Sequence, residues 1–371
     1  MKTHVYLQKC DSPNWILSAD EVKCKVQTTV LFTSMDFDLE ELYVSLQADD
    51  TELFQTLLNK GLPLDFKVPD PKGLLPEFLR NKPPILSVAA YYGSRDCFRL
   101  FADKSNEFYV TDDVDTPITQ FAVLGGDCDI LDILNSVGHD LAATIPFAAK
   151  NKCDIALRYI CDISNIPVNP NLQDQDGYSA VHYAVDSGRI NLLKFLHEKG
   201  GSLTTPTADG LTPIVLAARK GKTNVLAYIL ESEEVDINVL DSDENTPLHH
   251  AAMGGFFESV AMLLRDERIK PNCLNKEGLA PIHIACLKGL ASIVELFIDC
   301  PKVDIKFCSK DGDSVLHFAA ANGTEEIMYK LIGQNILDIN KTNNDGQTPL
   351  HTAAKYGSTG SVSALLKQEG I

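Results

Sequence analysis

Apolar positions in the second half of the chain recur in clusters at helical spacing: Val225, Ile229 and Leu230; Val260, Leu263 and Leu264; Ile293, Leu296 and Phe297; Ile327, Leu331 and Ile332. Each cluster predicts a helix with one apolar face. Ahead of these helices lies a shorter, more uniform block. Thr246-Pro247-Leu248-His249-His250-Ala251-Ala252-Met253-Gly254-Gly255 returns as Thr348-Pro349-Leu350-His351-Thr352-Ala353-Ala354-Lys355-Tyr356-Gly357. Anchored on the proline slot, copies fall at Ala180, Pro213, Pro247, Pro281, Val315 and Pro349, at an interval of 33 and then of 34 residues. Self-similarity at a fixed period predicts a repeat array, here of two-helix units.

Each slot has a mechanical reason. The hydroxyls of Thr212, Thr246 and Thr348 can accept from an orphan backbone N–H at a helix start, and the proline that follows suits the first helical position, where no N–H is needed. The pairs Ala217-Ala218, Ala251-Ala252 and Ala353-Ala354 combine helix propensity with little bulk, so helices can approach closely. Gly188, Gly221, Gly255, Gly289, Gly323 and Gly357, eight residues after each anchor, fit the left-handed conformation that ends a helix. Asp209-Gly210, Glu277-Gly278, Asp311-Gly312 and Asp345-Gly346 supply turn chemistry. With these features the chain resembles the ankyrin repeat, whose mark is T-P-L-H-x-A-A-x-x-G at a period near 33. The resemblance implies an all-α solenoid of helix-turn-helix units with short β-hairpin fingers.

The register extends backwards. Leu42 to Leu46 reads as a degenerate first helix, with Leu53, Leu57, Leu58 and Gly61 in the slots that follow, and a proline-bearing insertion from Pro63 to Pro84 then lengthens the spacing. Ile85 to Gly93 forms a second copy and Thr116 to Gly125 a third. The fourth departs most. Ala148-Ala149 places its anchor at Thr144, Pro146 falls one turn inside that helix, where it disfavours the geometry unless the helix starts late, and Lys152 stands where the other clear copies have glycine, so a short first helix, a shortened finger and a weak point in the stack are expected. About ten repeats thus fill residues 36–371, divergent over 36–173 and regular over 174–371. Residues 1–35 do not fit; the alternation around Val22, Cys24 and Val26 predicts a small β-containing extension of unassigned fold.

Charge narrows the choice of partner. The formal net charge is −18, which repels a nucleic-acid backbone or an anionic membrane surface at long range and favours basic or neutral partners. No apolar run is long enough for a membrane span. Ten cysteines without a C-x-x-C pair suit a reducing interior, so a cytoplasmic location is expected, with the nucleus left open. The acidic stretch from Asp36 to Glu52 and the run from Glu231 to Glu244 read as solvated surface.

His182, His249, His283, His317 and His351 form a ladder two residues after successive anchors. Neighbouring members belong to different repeats, so each is expected to tie its own first turn to the adjacent finger. In the ankyrin family this histidine serves structure. No H-E-x-x-H, paired cysteine ligands or calcium loop accompanies them, and no catalytic residue, metal or cofactor is expected. The resemblance implies a groove lined by fingers and first helices. The variable residues before each glycine point there: Tyr91, Tyr92, Val123, Leu124, Arg219, Lys220, Met253, Leu287, Lys288, Lys355 and Tyr356. They include the aromatic, methionine and arginine types enriched at binding cores. The expected function is therefore a monomeric scaffold or adaptor that binds a protein partner through the groove. The alternative is the substrate-recognition or regulatory part of a larger signalling or ubiquitin-ligase assembly.

Overall fold

A computed structural model describes residues 38–63, 66–70, 76–103, 108–162 and 168–368. The expected β-containing extension at 1–35 lies outside them. The described residues hold ten helix pairs. The first helices are Leu39–Ala48, Ile85–Tyr92, Ile118–Gly125, Ile145–Lys150, Ala180–Asp186, Pro213–Arg219, Pro247–Gly254, Pro281–Leu287, Val315–Asn322 and Pro349–Lys355. Their second helices are Thr51–Asn59, Arg95–Ala102, Cys128–Ser136, Asp154–Asp162, Ile190–Glu198, Thr223–Leu230, Phe257–Arg265, Ala291–Asp299, Glu325–Ile332 and Thr359–Leu366. The chain divides between Ile130 and Leu131 into two compact units.

Within each unit, successive first helices pack on one another and second helices on second helices, so each repeat's apolar stripe is covered by its neighbours. Alanine pairs form the seam: Ala89, Ala90, Ala217, Ala218, Ala251 and Ala252 are all buried. Larger side chains such as Phe98 and Phe297 fill the space between the two helix layers, each burial contributing roughly 2–3 kcal/mol.

Of the three threonines expected to cap, two do so. Thr246 and Thr348 accept from the N–H of His249 and His351, at 3.3 and 3.4 Å. Thr212 does not cap; its Oγ1 is buried without a hydrogen-bond partner. The reason is Val215, which occupies the histidine slot of that repeat and leaves the hydroxyl no ring nitrogen to bond. Helix ends follow the glycine rule, and Gly221 shows why substitution there is excluded. Its φ is +61°, and an added Cβ would lie 2.5 Å from the Phe256 ring of the next repeat.

The third repeat is shifted by one residue. Pro117 is its N-cap, with φ −75° and ψ 151°, rather than its first helical residue, so the left-handed position is Gly126. Gly125 lies inside the helix, where a Cβ would fall 2.0 Å from the Ala90 carbonyl. The shift also corrects the expectation for Val123. It takes the second small-residue slot of the seam and is fully buried, leaving only Leu124 at the surface.

In the fourth repeat the first helix is only 6 residues long. A 3-10 turn over Ala142–Thr144 delays its start, so Pro146 sits in the first turn and breaks no hydrogen bond. Lys152 adopts the left-handed conformation at φ +62°. An arginine from the fifth repeat compensates for the irregularity. The Arg189 guanidinium donates to Asp154, at the start of the second helix, and to the Ala149 carbonyl, at the end of the first.

The fingers are turns rather than paired strands. Among the described residues there are only two isolated bridges, Lys67 with Pro84 and Gln173 with Ser179. Two backbone bonds close each regular finger, as from Asp174 N to Tyr178 O at 2.9 Å and from Gly177 N to Asp174 O at 3.0 Å. Sideways bonds such as Lys310 N to Gly278 O, at 3.0 Å, join one finger to the next. Five residues are too few for a ladder.

The acidic stretches hold more than solvated charge. Asp38 and Asp50 cap their helices through the N–H of Glu40 and Leu53, both at 3.0 Å. Asp49 reaches the second repeat and accepts from Asp96 and Cys97 at 3.1 and 2.9 Å. The run from Glu231 to Glu244 contains no basic residue, and Arg268 of the next repeat supplies a cation beside it. It donates to the Leu230 carbonyl at 2.8 Å and the Ser232 carbonyl at 3.1 Å while held by Asp266.

Candidate protein-binding surface

The histidine ladder sets the geometry from which this surface is built. In the fifth, seventh, eighth and ninth repeats Nδ1 accepts the N–H of the N-cap residue at 3.1 Å, namely Ser179, Thr246, Ala280 or Ser314. That fixes the tautomer, and Nε2–H donates to a carbonyl of the next finger, of Thr205, Leu279, Phe307 or Gln347, each at 3.0 Å. Burial holds His249 and His283 at a pKa of about 4 and lowers His182 as well. His283 also stacks on Phe318, with ring centroids 4.9 Å apart. In the tenth repeat His351 keeps the Nδ1 bond, at 3.2 Å from Thr348 N, and its ring is exposed. These histidines act as joints between repeats. Among the described residues no group of three or more His, Cys, Asp or Glu is placed to hold a metal ion.

With the fingers clamped in this way, the first residue of each presents a side chain that closes the turn. The Oδ1 atoms of Asp174, Asp241 and Asn343 accept from the N–H two residues on, at 3.0, 2.9 and 3.1 Å, and four residues on, at 2.9, 2.8 and 2.9 Å. The remaining atom of that side chain distinguishes the repeats. Asn275 and Asn343 donate to Asn245 and Asp313 of the preceding finger, at 2.9 and 2.8 Å. Asp174 and Asp241 instead accept from their own first helix, from the Tyr183 hydroxyl at 2.5 Å and from His250 Nε2 at 2.6 Å. Burial and Asp174 both push the Tyr183 hydroxyl upward in pKa. Burial lowers His250 while Asp241 resists; burial likewise works against ionised Asp241, yet Asn245 N–H and His250 hold its carboxyl below the usual range.

His250 and Asp241 form the inner wall of a cleft of about 580 Å³ between the sixth and seventh repeats, lined also by Asp209, Arg219, Asp243 and Met253. Two of the expected surface residues, Arg219 and Met253, thus meet in one place. Lys220 lies beside them and is paired with Asp186 at 2.8 Å. Further along this unit Lys288, Lys355 and Tyr356 are exposed at the ends of their first helices, with the Lys355 ammonium 5.7 Å from the Tyr356 ring centroid; Leu287 is also exposed. In the unit ending at Ile130, Tyr91 and Tyr92 meet edge to face, their ring centroids 5.3 Å apart, and Gln47 donates to the Tyr92 hydroxyl at 3.1 Å. Leu124 is half-buried.

Sequence reasoning missed His250, Asp241 and the Tyr183–Asp174 pair. The available signal was the doubled histidine His249-His250, whose second member has no structural slot in the repeat.

The family model "Ankyrin repeats (3 copies)" matches residues 145–241, 199–275, 232–306 and 282–371, together more than half of the chain. Alpha-latrotoxin-Lhe1a of Latrodectus hesperus is 38% identical over 74 residues, 20% of this chain and 5% of the toxin. An ankyrin repeat-containing protein of Schizosaccharomyces pombe is 29% identical over 96 residues, 26% of this chain and 43% of that protein. The chain thus spans less than half the length of these relatives. Among solved structures, the ankyrin repeat domain of Bcl-3 aligns with a TM-score of 0.54 at 21% identity, covering 60% of this chain and 97% of that domain.

Proposed function

The chain belongs to the ankyrin-repeat family, and we propose that it is a protein-binding scaffold or adaptor that holds a partner segment against its fingers and first helices. Repeats of this family mediate protein–protein interaction and are typically non-enzymatic. Among the described residues no helix is long and apolar enough to cross a membrane. The observation that carries the reading is the cleft around Arg219 and Met253. There the repeat's own chemistry demands neither Arg219 nor Met253, and this arginine and methionine stand at the surface of the cleft.

The test is affinity capture with tagged full-length chain, quantified by mass spectrometry. Replacing Arg219, Met253 and Tyr356 with alanine should reduce a specifically captured protein at least about tenfold, since truncated contact anchors often cost 2 kcal/mol or more. Circular dichroism should be unchanged. Equal capture by this variant, with loss on alanine substitution of the exposed second-helix residues Ile155 and Tyr329, would overturn the reading.

A further inference from the structure

The cleft between the sixth and seventh repeats carries a charge pattern that selects its occupant. Asp209 and Asp243 stand exposed at its two finger tips. Among the described residues neither carboxylate has an ion-pair partner, whereas Asp186, nearby, is neutralised by Lys220. On the inner wall Asp241 is bound to His250, its side chain only 7% exposed; Asn245 N–H and His250 hold its carboxyl ionised while burial favours the neutral imidazole, so the pair carries a negative charge. Among the described residues Arg219 is the single permanent cation in the lining. Three carboxylates against one guanidinium leave the cleft with a net negative charge in a chain that is itself acidic. Met253 adds accessible apolar surface to the lining, whereas Leu211 is almost fully buried.

The geometry points to a cationic side chain, a lysine or arginine of the partner segment, as the occupant of this cleft. Its methylene stem lies along Met253, and its charged head sits between Asp209 and Asp243. Asp241 is already saturated by Asp243 N–H, Asn245 N–H and His250, so it contributes field rather than a direct bond. An acidic side chain entering the same cleft would meet three carboxylates with only Arg219 to receive it. The inference rests on the scaffold reading above and names the chemistry of its partner.

The test needs no knowledge of the partner. N-acetyl-arginine amide is titrated into the full-length chain while the Met253 methyl resonance is followed by NMR, with N-acetyl-glutamine amide and N-acetyl-glutamate amide as controls. The expected result is a saturable shift with the arginine probe, weakened by salt, and little shift with either control. The double variant D209N/D243N, at exposed turn positions, should weaken the arginine probe about fivefold. Equal shifts with the arginine and glutamine probes would overturn the inference, as would an arginine response insensitive to salt or an unchanged response in the double variant. Partner capture that depends on Arg219 and Met253 can persist in any of those cases, so failure here is distinguishable from failure of the scaffold reading.

Discussion

Nε2 of His249 lies 3.0 Å from the carbonyl oxygen of Leu279, 30 positions further along the chain. One imidazole therefore bonds both to the first turn of its own helix and to the finger of the next repeat. A neutral ring is required, because Nδ1 accepts from Thr246 N–H while Nε2 donates. A protonated ring would set a donor against a donor.

Stability should accordingly fall on the acid side of neutrality. His249 and His283 have folded pKa values of about 4, below the unfolded value near 6.5, so between those limits the unfolded chain binds protons that the folded chain refuses. Their stabilisation is fully present above pH 6.5 and is lost as pH falls toward 4, by roughly 3 kcal/mol for each ring. Urea midpoints measured from pH 7.5 to 4.5 should fall steadily. A flat profile would contradict the neutral-ladder account.

Val215 offers the converse experiment. It occupies the ladder slot in the one regular repeat without a histidine, beside the unpartnered Thr212 hydroxyl. V215H should add the missing joint and raise stability by about 1 kcal/mol at neutral pH, the net worth of one well-placed hydrogen bond. It should also steepen the acid sensitivity. A lowered urea midpoint at pH 7.5 would show that the sixth repeat cannot accept the ring.

Lys152 holds a left-handed conformation that glycine adopts without steric penalty. K152G should therefore stabilise the fourth repeat by up to about 1 kcal/mol, less whatever the greater freedom of glycine in the unfolded chain removes. Thermal melting would register the gain; a lower melting temperature would mean that the lysine is better accommodated than its φ implies.

Arg189 is the counterweight to that irregular repeat. R189A removes the cation from Asp154 and the guanidinium bond from the Ala149 carbonyl, which keeps only the Lys152 N–H at 3.3 Å and the helix-end contact from Asn151, and should cost about 1–2 kcal/mol, discounted because Asp154 is 40% exposed. Hydrogen exchange should accelerate over residues 145–162 well before residues 210–350 respond. Acceleration shared evenly by both segments would show that the whole stack opens as one unit.

Much of the fold could be read from the chain because each slot answers a local demand. A proline tolerates the first helical position, a glycine the left-handed one, and an alanine pair the closest helix approach. The ladder was legible for the same reason, since its spacing places each ring beside a neighbouring finger. What escaped notice depended on side-chain reach across the fold. Arg189 and Asp154 are 35 residues apart, and Asp241 and His250 belong to different elements of one repeat. Nothing in the sequence marks either pair as a contact. Val123 was misplaced by a single residue because Pro117 serves as a cap, a choice that T-P at a helix start leaves open.

The most direct measurement of the central claim is site-specific photo-crosslinking. A benzoylphenylalanine placed at Arg219 or Tyr356 should crosslink one and the same partner protein from cell extract, whereas the same probe at Ile155 or Tyr329 on the second helices should not. Crosslinks to that partner from the second-helix positions, with none from Arg219 or Tyr356, would contradict binding through the fingers and first helices.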